Sequence, residues 1–321
     1  MNRVLKSINN MATGQWESDC AASVDYYNAW FMDFVPPSFR AAREQALKKV
    51  KAAFQFTKNL QLFDAETLRA RPEVLAVARK LTCPPLARDR LSGLSEVSST
   101  FIKRCEESDG QALPEKYRSS LQAVFDVITK MLDKDILTWL SPNSRSPSLL
   151  SKNRAAIVIA DRLCGALADP ILRNAQEKRQ LKVLSDWLVK RGYQPTTLLS
   201  HKRLKPGQYA VHVNMPCRLT EHSDRMVNVS VDLVILPKSA TIDEFPILIE
   251  AKPAGDFTNV NKRRKEEAKK MEQRRGQYGR DIRYLLFLCG NFDAQYLGYE
   301  ASEGIDWIWE HRISDIEEVG L

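Results

Sequence analysis

Residues 227–255 read VNVSVDLVILPKSATIDEFPILIEAKPAG, and two strands within that stretch decide the fold. In the first, Val227, Val229, Val231, Leu233 and Ile235 alternate with Asn228, Ser230, Asp232, Val234 and Leu236. A period of two predicts an extended chain with Asp232 on the face opposite the valines. In the second, Ile247, Ile249 and Ala251 share one face, while Leu248, Glu250 and Lys252 share the other. Charged groups in such apolar strands are costly unless paired or bound to a cation. Two readings are open. Glu250 and Lys252 form a buried ion pair of purely structural value, or Asp232 and Glu250 supply hard oxygen ligands for Mg²⁺. In the second reading Lys252 stands where it orients a water or stabilises charge on a phosphate.

The segment after the strands favours a site. Between Lys262 and Arg280 there are nine basic and three acidic residues, so this segment carries +6 of the net charge of +8. Its narrow apolar stripe (Val260, Ala268, Met271, Tyr278) predicts a helix over 259–278 whose remaining surface is basic. Such a surface suits an anionic partner.

The rest of the composition narrows the class. With 321 residues, 44% of them hydrophobic, the chain has material for about two domains. Its six cysteines are scattered without a C-x-x-C pair, which reads as reduced thiols in a cytoplasmic protein. The four histidines, His201, His212, His222 and His311, lack zinc-ligand spacing, which argues against a zinc hydrolase and a histidine-metal nuclease. No secretion signal is expected at the N-terminus. The longest apolar runs, such as Ala155–Ala160 and Tyr284–Cys289, are too short to span a bilayer, so no membrane partner is expected.

Working outward, residues 1–150 read as mostly helical. Pro36 and Pro37 are expected to end an aromatic N-terminal piece, with a helix from Ser38 onward. Leu47, Val50, Phe54 and Thr57 fall at helical spacing, and Lys48, Lys49 and Lys51 read as its solvated face in preference to a DNA contact. The stripe Tyr117, Leu121, Val124, Ile128, Met131 and Ile136 predicts a long helix over 114–140, and Ser141–Ser148 a boundary loop. In residues 151–321, a helix over 152–168 is expected to close at Asp169-Pro170. The next helix, 171–191, carries the seam Leu181, Leu184, Leu188. One turn before that seam stands Glu177. It either pairs with a neighbour such as Arg173 or reaches a site as a metal ligand or a water orienter. Strands are expected at 209–219, 227–236, 247–252 and 282–289, and Trp307 and Trp309 read as packing residues. From 171 to 289 the order is helix, strand, strand, strand, helix, strand: a mixed α/β fold.

That order, with an acid on the second strand and Glu-x-Lys on the third, resembles the PD-(D/E)XK nuclease superfamily. Asp232, Glu250 and Lys252 match its two acids and lysine, and Glu177 its helical glutamate. Val231 stands where the superfamily's proline is usual. The segments DRLCGALADPILRNAQEKRQL and CPPLARDRL are similar to XamI-like type II restriction endonucleases. The resemblance in fold covers roughly residues 171–290, so residues 151–321 read as the nuclease core and residues 1–150 as a helical region for DNA recognition, dimerisation or both. It further implies a homodimer that cuts both strands of double-stranded DNA at a short palindromic site with Mg²⁺. Asp232 and Glu250, with Glu177, would be the metal ligands, and Lys252 would complete the catalytic set. Candidate DNA contacts are Lys202, Arg203, Arg218 and Arg225 in or beside loops, and Lys262, Arg263, Arg264, Lys269 and Arg274 on the basic helix. Two other readings stand beside it: a repair or recombination nuclease of the same fold, and a non-catalytic nucleic-acid-binding protein.

Overall fold

A computed structural model describes residues 7–141, 146–197, 204–218, 225–241, 244–255, 260–279 and 282–321, with the side chains of 260–267 outside that description. The chain forms two compact units. One is Val35–Leu172. The other combines the residues up to Phe34 with Arg173–Leu321, so the division does not fall at 150.

The first unit is helical. It holds most of α1 (Trp16–Phe56), then α2 (Ala65–Ala70), α3 (Val74–Ala78), α4 (Arg88–Ser95), α5 (Ser99–Glu106), α6 (Arg118–Lys130) and the first half of α7 (Leu149–Lys190). Val50, Phe54, Leu68, Leu75, Leu91, Ile102, Leu121, Val124, Ile128 and Ile159 are buried in one core. Each such side chain contributes roughly 1.5–3 kcal/mol by leaving water.

Three expectations fail here, each overridden by context. Pro36 and Pro37 do not end a helix but lie inside α1, and Pro170 lies inside α7. A proline removes the hydrogen bond to the carbonyl four residues back. Those carbonyls belong to Met32, Asp33 and Ala166, all exposed residues, and the helices run on. The helix expected over 114–140 is cut short instead. Met131 O accepts from Cys83 N, and Asp133 N donates to Leu81 O. Leu132 forms a bridge with Thr82. Tertiary pairing takes the backbone that a longer helix would need.

The second unit is built on a six-stranded mixed sheet in the order β1-β2-β3-β4-β5-β6. The strands are β1 (Gln194–Pro195), β2 (Gln208–Arg218), β3 (Met226–Ile235), β4 (Ile247–Ala254), β5 (Tyr284–Gly290) and β6 (Asp306–Trp309). β3 is antiparallel to both β2 and β4, while β1 is parallel to β2, and β4, β5 and β6 run parallel. Helix α8 (Val260–Tyr278) joins β4 to β5, and α9 (Ala294–Ser302) joins β5 to β6. The mixed α/β architecture and helical N-terminal region are as expected. β1 and β6 are additions to the expected strands.

Helices cover both sheet faces. Leu181, Leu184, Trp187 and Leu188 of α7 pack with Tyr209, Leu233, Ile235, Ile247 and Ile249. Met271 of α8 packs on the other side with Val213, Val231, Val234, Leu248, Leu286 and Trp307. Residues 7–34 belong to this unit. The amides of Ile8, Asn9 and Asn10 donate to the Asp306 carboxylate at 2.6–3.0 Å. The rings of Trp16 and Trp307 meet at 5.6 Å. At the end of β5, Gly290 has φ +107°, and a Cβ there would lie 2.0 Å from Ala254 O. Only glycine lets β5 close against β4 in this way.

Among the described residues no helix is long and apolar enough to cross a membrane. All six cysteines are unpaired, and burial pushes the thiols of Cys20, Cys105 and Cys289 up to about 12.

Candidate active site

The site begins where β3 and β4 part. They pair at Leu233↔Ile249, Val234↔Leu248 and Ile235↔Ile247 and no further. The next step of that register sets Asp232 level with Glu250. Asp232 Oδ2 accepts from the Ala251 amide at 2.8 Å, so a side chain satisfies the backbone donor just beyond the last paired residues. The Asp232 carboxyl is pushed up to about 6, first by burial and then by the negative charge of Glu250. The Ala251 hydrogen bond and Lys252 oppose that shift.

β2 breaks at the same level. Its pairing with β3 includes Val211↔Leu233 and Val213↔Val231 but skips the position between them, where His212 faces Asp232. His212 has φ +51°, a left-handed backbone that is uncommon away from glycine. The alternation of both strands slips there. Ala210 and Val213, three apart, pack into the same core, and so do Val231 and Val234. The expectation that Val231, Leu233 and Ile235 share a face is therefore corrected: Leu233 and Ile235 pack on the α7 side, Val231 on the α8 side.

On the α7 side, one turn before Leu181, stands Glu177. One ligand atom each from Glu177, His212 and Asp232 lie within 4.8 Å of one another. His212 Nδ1 is 3.8 Å from Glu177 Oε1. Of the two readings of Glu177, its position favours the site.

Glu250 takes different neighbours. Its side chain is only 5% exposed. Oε1 accepts from Lys252 Nζ at 3.3 Å and from Lys270 Nζ. Oε2 has no hydrogen bond and lies 3.6 Å from Arg274 Nη2. Arg274 is fully buried. It donates to Ser230 O at 3.1 Å and sits 4.6 Å over the Tyr284 ring. Three cations thus surround this buried carboxylate and face its negative charge.

Of the residues expected at the site, Asp232 and Glu177 lie together with His212, while Glu250 lies with Lys252, Lys270 and Arg274. His212 and Lys270 are additions. Histidine spacing along the chain gives no hint of His212; only the cross-strand register does. Lys270 precedes buried Met271 and lies one turn from Arg274, which is a legible helical phase. Arg274, expected among the DNA contacts, is turned inward on Glu250. Arg218, Arg225 and Lys269 are exposed. Lys202 and Arg203 lie outside the described residues, as do the side chains of Lys262, Arg263 and Arg264.

The mixed sheet parts at two acids, with a lysine on the same strand and Lys270 and Arg274 of α8 beside Glu250, and the sequence comparisons say which class of protein carries it. The profile of the XamI restriction endonuclease family matches residues 58–309. The chain belongs to that family and is a site-specific restriction endonuclease. It is 44% identical over 321 aligned positions, covering 98% of this chain and 99% of the other, to the type II restriction enzyme SalI of Streptomyces albus G. A solved structure, that of protein VC1899 from Vibrio cholerae, is 11% identical with a TM-score of 0.28, over 85% of this chain and 55% of that one; it carries no weight here.

Proposed function

We propose that the chain cuts both strands of double-stranded DNA at a short palindromic site, as a homodimer, with Mg²⁺ held by Asp232, Glu250 and Glu177. The β-unit is then a PD-(D/E)XK core, and the helical unit serves recognition or dimerisation. The observation that carries this reading is the parting of β3 and β4 at Asp232 and Glu250, with Lys252 adjoining.

The donor set fits a hard cation. Asp232 and Glu177 present carboxylate oxygens close together, and buried Glu250 keeps one oxygen without a hydrogen bond. Mg²⁺ favours oxygen ligands and retains waters. When bound, it lowers the pKa of a water and stabilises developing charge on phosphorus. The chain's own groups do the rest. Ala251 N–H fixes the Asp232 carboxylate, and Lys270 and Arg274 hold Glu250. Lys252 Nζ, 3.3 Å from Glu250, donates to the attacking water or to a phosphate oxygen. Arg218, Arg225, Lys269 and the basic residues 202–203 and 262–264 hold the DNA backbone, which positions the duplex without specifying its sequence.

One Asp232/Glu250/Lys252 set hydrolyses one phosphodiester at a time. A two-fold pair of chains supplies a second set, and its symmetry is mirrored in that of its target. Free thiols and the absence of a spanning helix among the described residues suit action in the cytoplasm. The test is digestion of phage DNA with Mg²⁺ by the wild type, Asp232→Ala and Glu250→Ala, with both cut strands mapped and the mass in solution measured by light scattering with and without DNA. Discrete bands lost in both variants, from a dimer cutting symmetrically, are expected. Near-normal cleavage by either variant removes that residue from the site. A monomer nicking an asymmetric sequence removes the dimer.

A further inference from the structure

His212 is held in an unusual way. A left-handed backbone at a non-glycine residue costs on the order of 1–3 kcal/mol, and here it occurs inside a strand. What it achieves is directional. Unbroken alternation from Ala210 would send His212 to the same face as Ala210, which packs with Met271 of α8. The break turns it instead toward Glu177 of α7, while the matching slip in β3 turns Asp232 the same way. Three potential ligand atoms from three separate elements converge within 4.8 Å. The 3.8 Å separation of Nδ1 from Glu177 is too long for a hydrogen bond. The imidazole therefore stands beside the carboxylates without being tied to Glu177, and half of its side chain is open to solvent.

We infer that His212 supplies a nitrogen ligand to the cation that Asp232 and Glu177 face, adding nitrogen to the carboxylate ligands. The inference rests on the metal-centre reading above and adds to it. Imidazole nitrogen favours the later first-row divalent ions over Mg²⁺, whose preference is for oxygen. The site then serves Mg²⁺ through its carboxylates while binding Mn²⁺ or Co²⁺ more tightly through His212.

The test uses the full chain without DNA. Mn²⁺ is added, and pulsed electron paramagnetic resonance reads the ¹⁴N coupling of a directly bound imidazole. His212→Asn is the variant of choice, because asparagine tolerates the left-handed backbone and the strand break survives; circular dichroism and melting confirm it. The wild type is expected to show the coupling and His212→Asn to lose it. Calorimetric titration should show Co²⁺ affinity falling at least about tenfold in His212→Asn, the scale on which losing even an outer partner of a metal ligand acts, with Mg²⁺ affinity changed less. Mn²⁺ bound in an Asp232-dependent way without ¹⁴N coupling, or coupling that persists in His212→Asn, overturns the role of His212 and leaves the carboxylate centre standing. Mn²⁺ binding equally well to Asp232→Asn overturns the centre itself, and this inference with it.

Discussion

Replacing Asp232 by asparagine should make the metal-free protein more stable while abolishing cleavage. Asp232 is pushed from 3.8 to about 6, mainly by burial and then by Glu250. Ionising it in the folded state at pH 7.5 thus costs about 3 kcal/mol relative to the unfolded chain, at 1.36 kcal/mol per pH unit. Asparagine keeps the shape and an oxygen for the Ala251 amide, and it removes the charge. The sign comes from proton binding. Between pH 3.8 and about 6 the folded protein holds a proton that the unfolded chain has released. The wild type's stability from this group is therefore fully present below pH 3.8 and lost as pH rises through about 6. Urea unfolding in EDTA should put Asp232→Asn about 3 kcal/mol above the wild type at pH 7.5, and the gap should close towards pH 4. Added Mg²⁺ should stabilise only the wild type, by about 2.7 kcal/mol at a concentration one hundred times its Kd. An Asp232→Asn protein no more stable than the wild type at pH 7.5 would refute the view that this carboxylate is held in a costly ionised state.

The other expectations concern the cation cluster and the helix. Lys252→Met should lower the cleavage rate at least about 100-fold, the lower bound for losing a positioned proton-transfer group, and Glu250→Gln should lower it strongly by removing a charged metal ligand, while DNA binding measured by fluorescence anisotropy persists in both; cleavage within tenfold of the wild type would exclude the residue from the chemistry. Arg274→Met should destabilise the fold by up to about 3–5 kcal/mol, the scale of breaking a buried ion pair, because it removes one of the three cations around buried Glu250 and the buried guanidinium's bond to Ser230 O; an unchanged denaturation midpoint would count against it. Lys269→Ala should leave stability unchanged and reduce the slope of log K against log[salt] by roughly 0.9; a slope equal to the wild type's would make Lys269 a bystander.

Periodicity makes most of the β-unit legible, because its strands and helices carry their pattern locally. Strands β2 to β5 and helix α8 lie where the sequence predicts them, β5 as a continuous apolar run buried throughout and α8 by the narrow Met271 stripe. The errors arise where context overrides a local signal. Prolines 36, 37 and 170 are strong punctuation in a sequence, yet each frees a carbonyl on an exposed residue, so the helix continues at modest cost. The apolar stripe beyond Lys130 is real, but the backbone there pairs with Leu81 and Cys83. β6 is four residues long and buried almost throughout, so it shows no alternation to read. That residues 7–34 pack beside Asp306 and Trp307 leaves no trace in local sequence.

The site is legible to the extent that its residues lie on one strand or one spacing. Asp232, Glu250 and Lys252 can be found by reading along the chain. That Asp232 sits with Glu177 and His212 while Glu250 sits among Lys252, Lys270 and Arg274 cannot, because the slip of alternation at Asp232 depends on His212 facing it from β2. Ligand spacing along the chain says nothing of the histidines, because a ligand set in a sheet is assembled across strands. Once the pairing of Val211 with Leu233 and Val213 with Val231 is known, His212 opposite Asp232 comes by counting. The basic helix teaches a complementary point. Its positive charge reads as one surface for DNA, yet helical phase already separates two roles. Lys269 lies on the exposed face, while Lys270 and Arg274 sit one turn apart on the side that buries Met271. Charge says that a residue attracts an anion; phase decides whether that anion is a phosphate of the substrate or Glu250 of the enzyme.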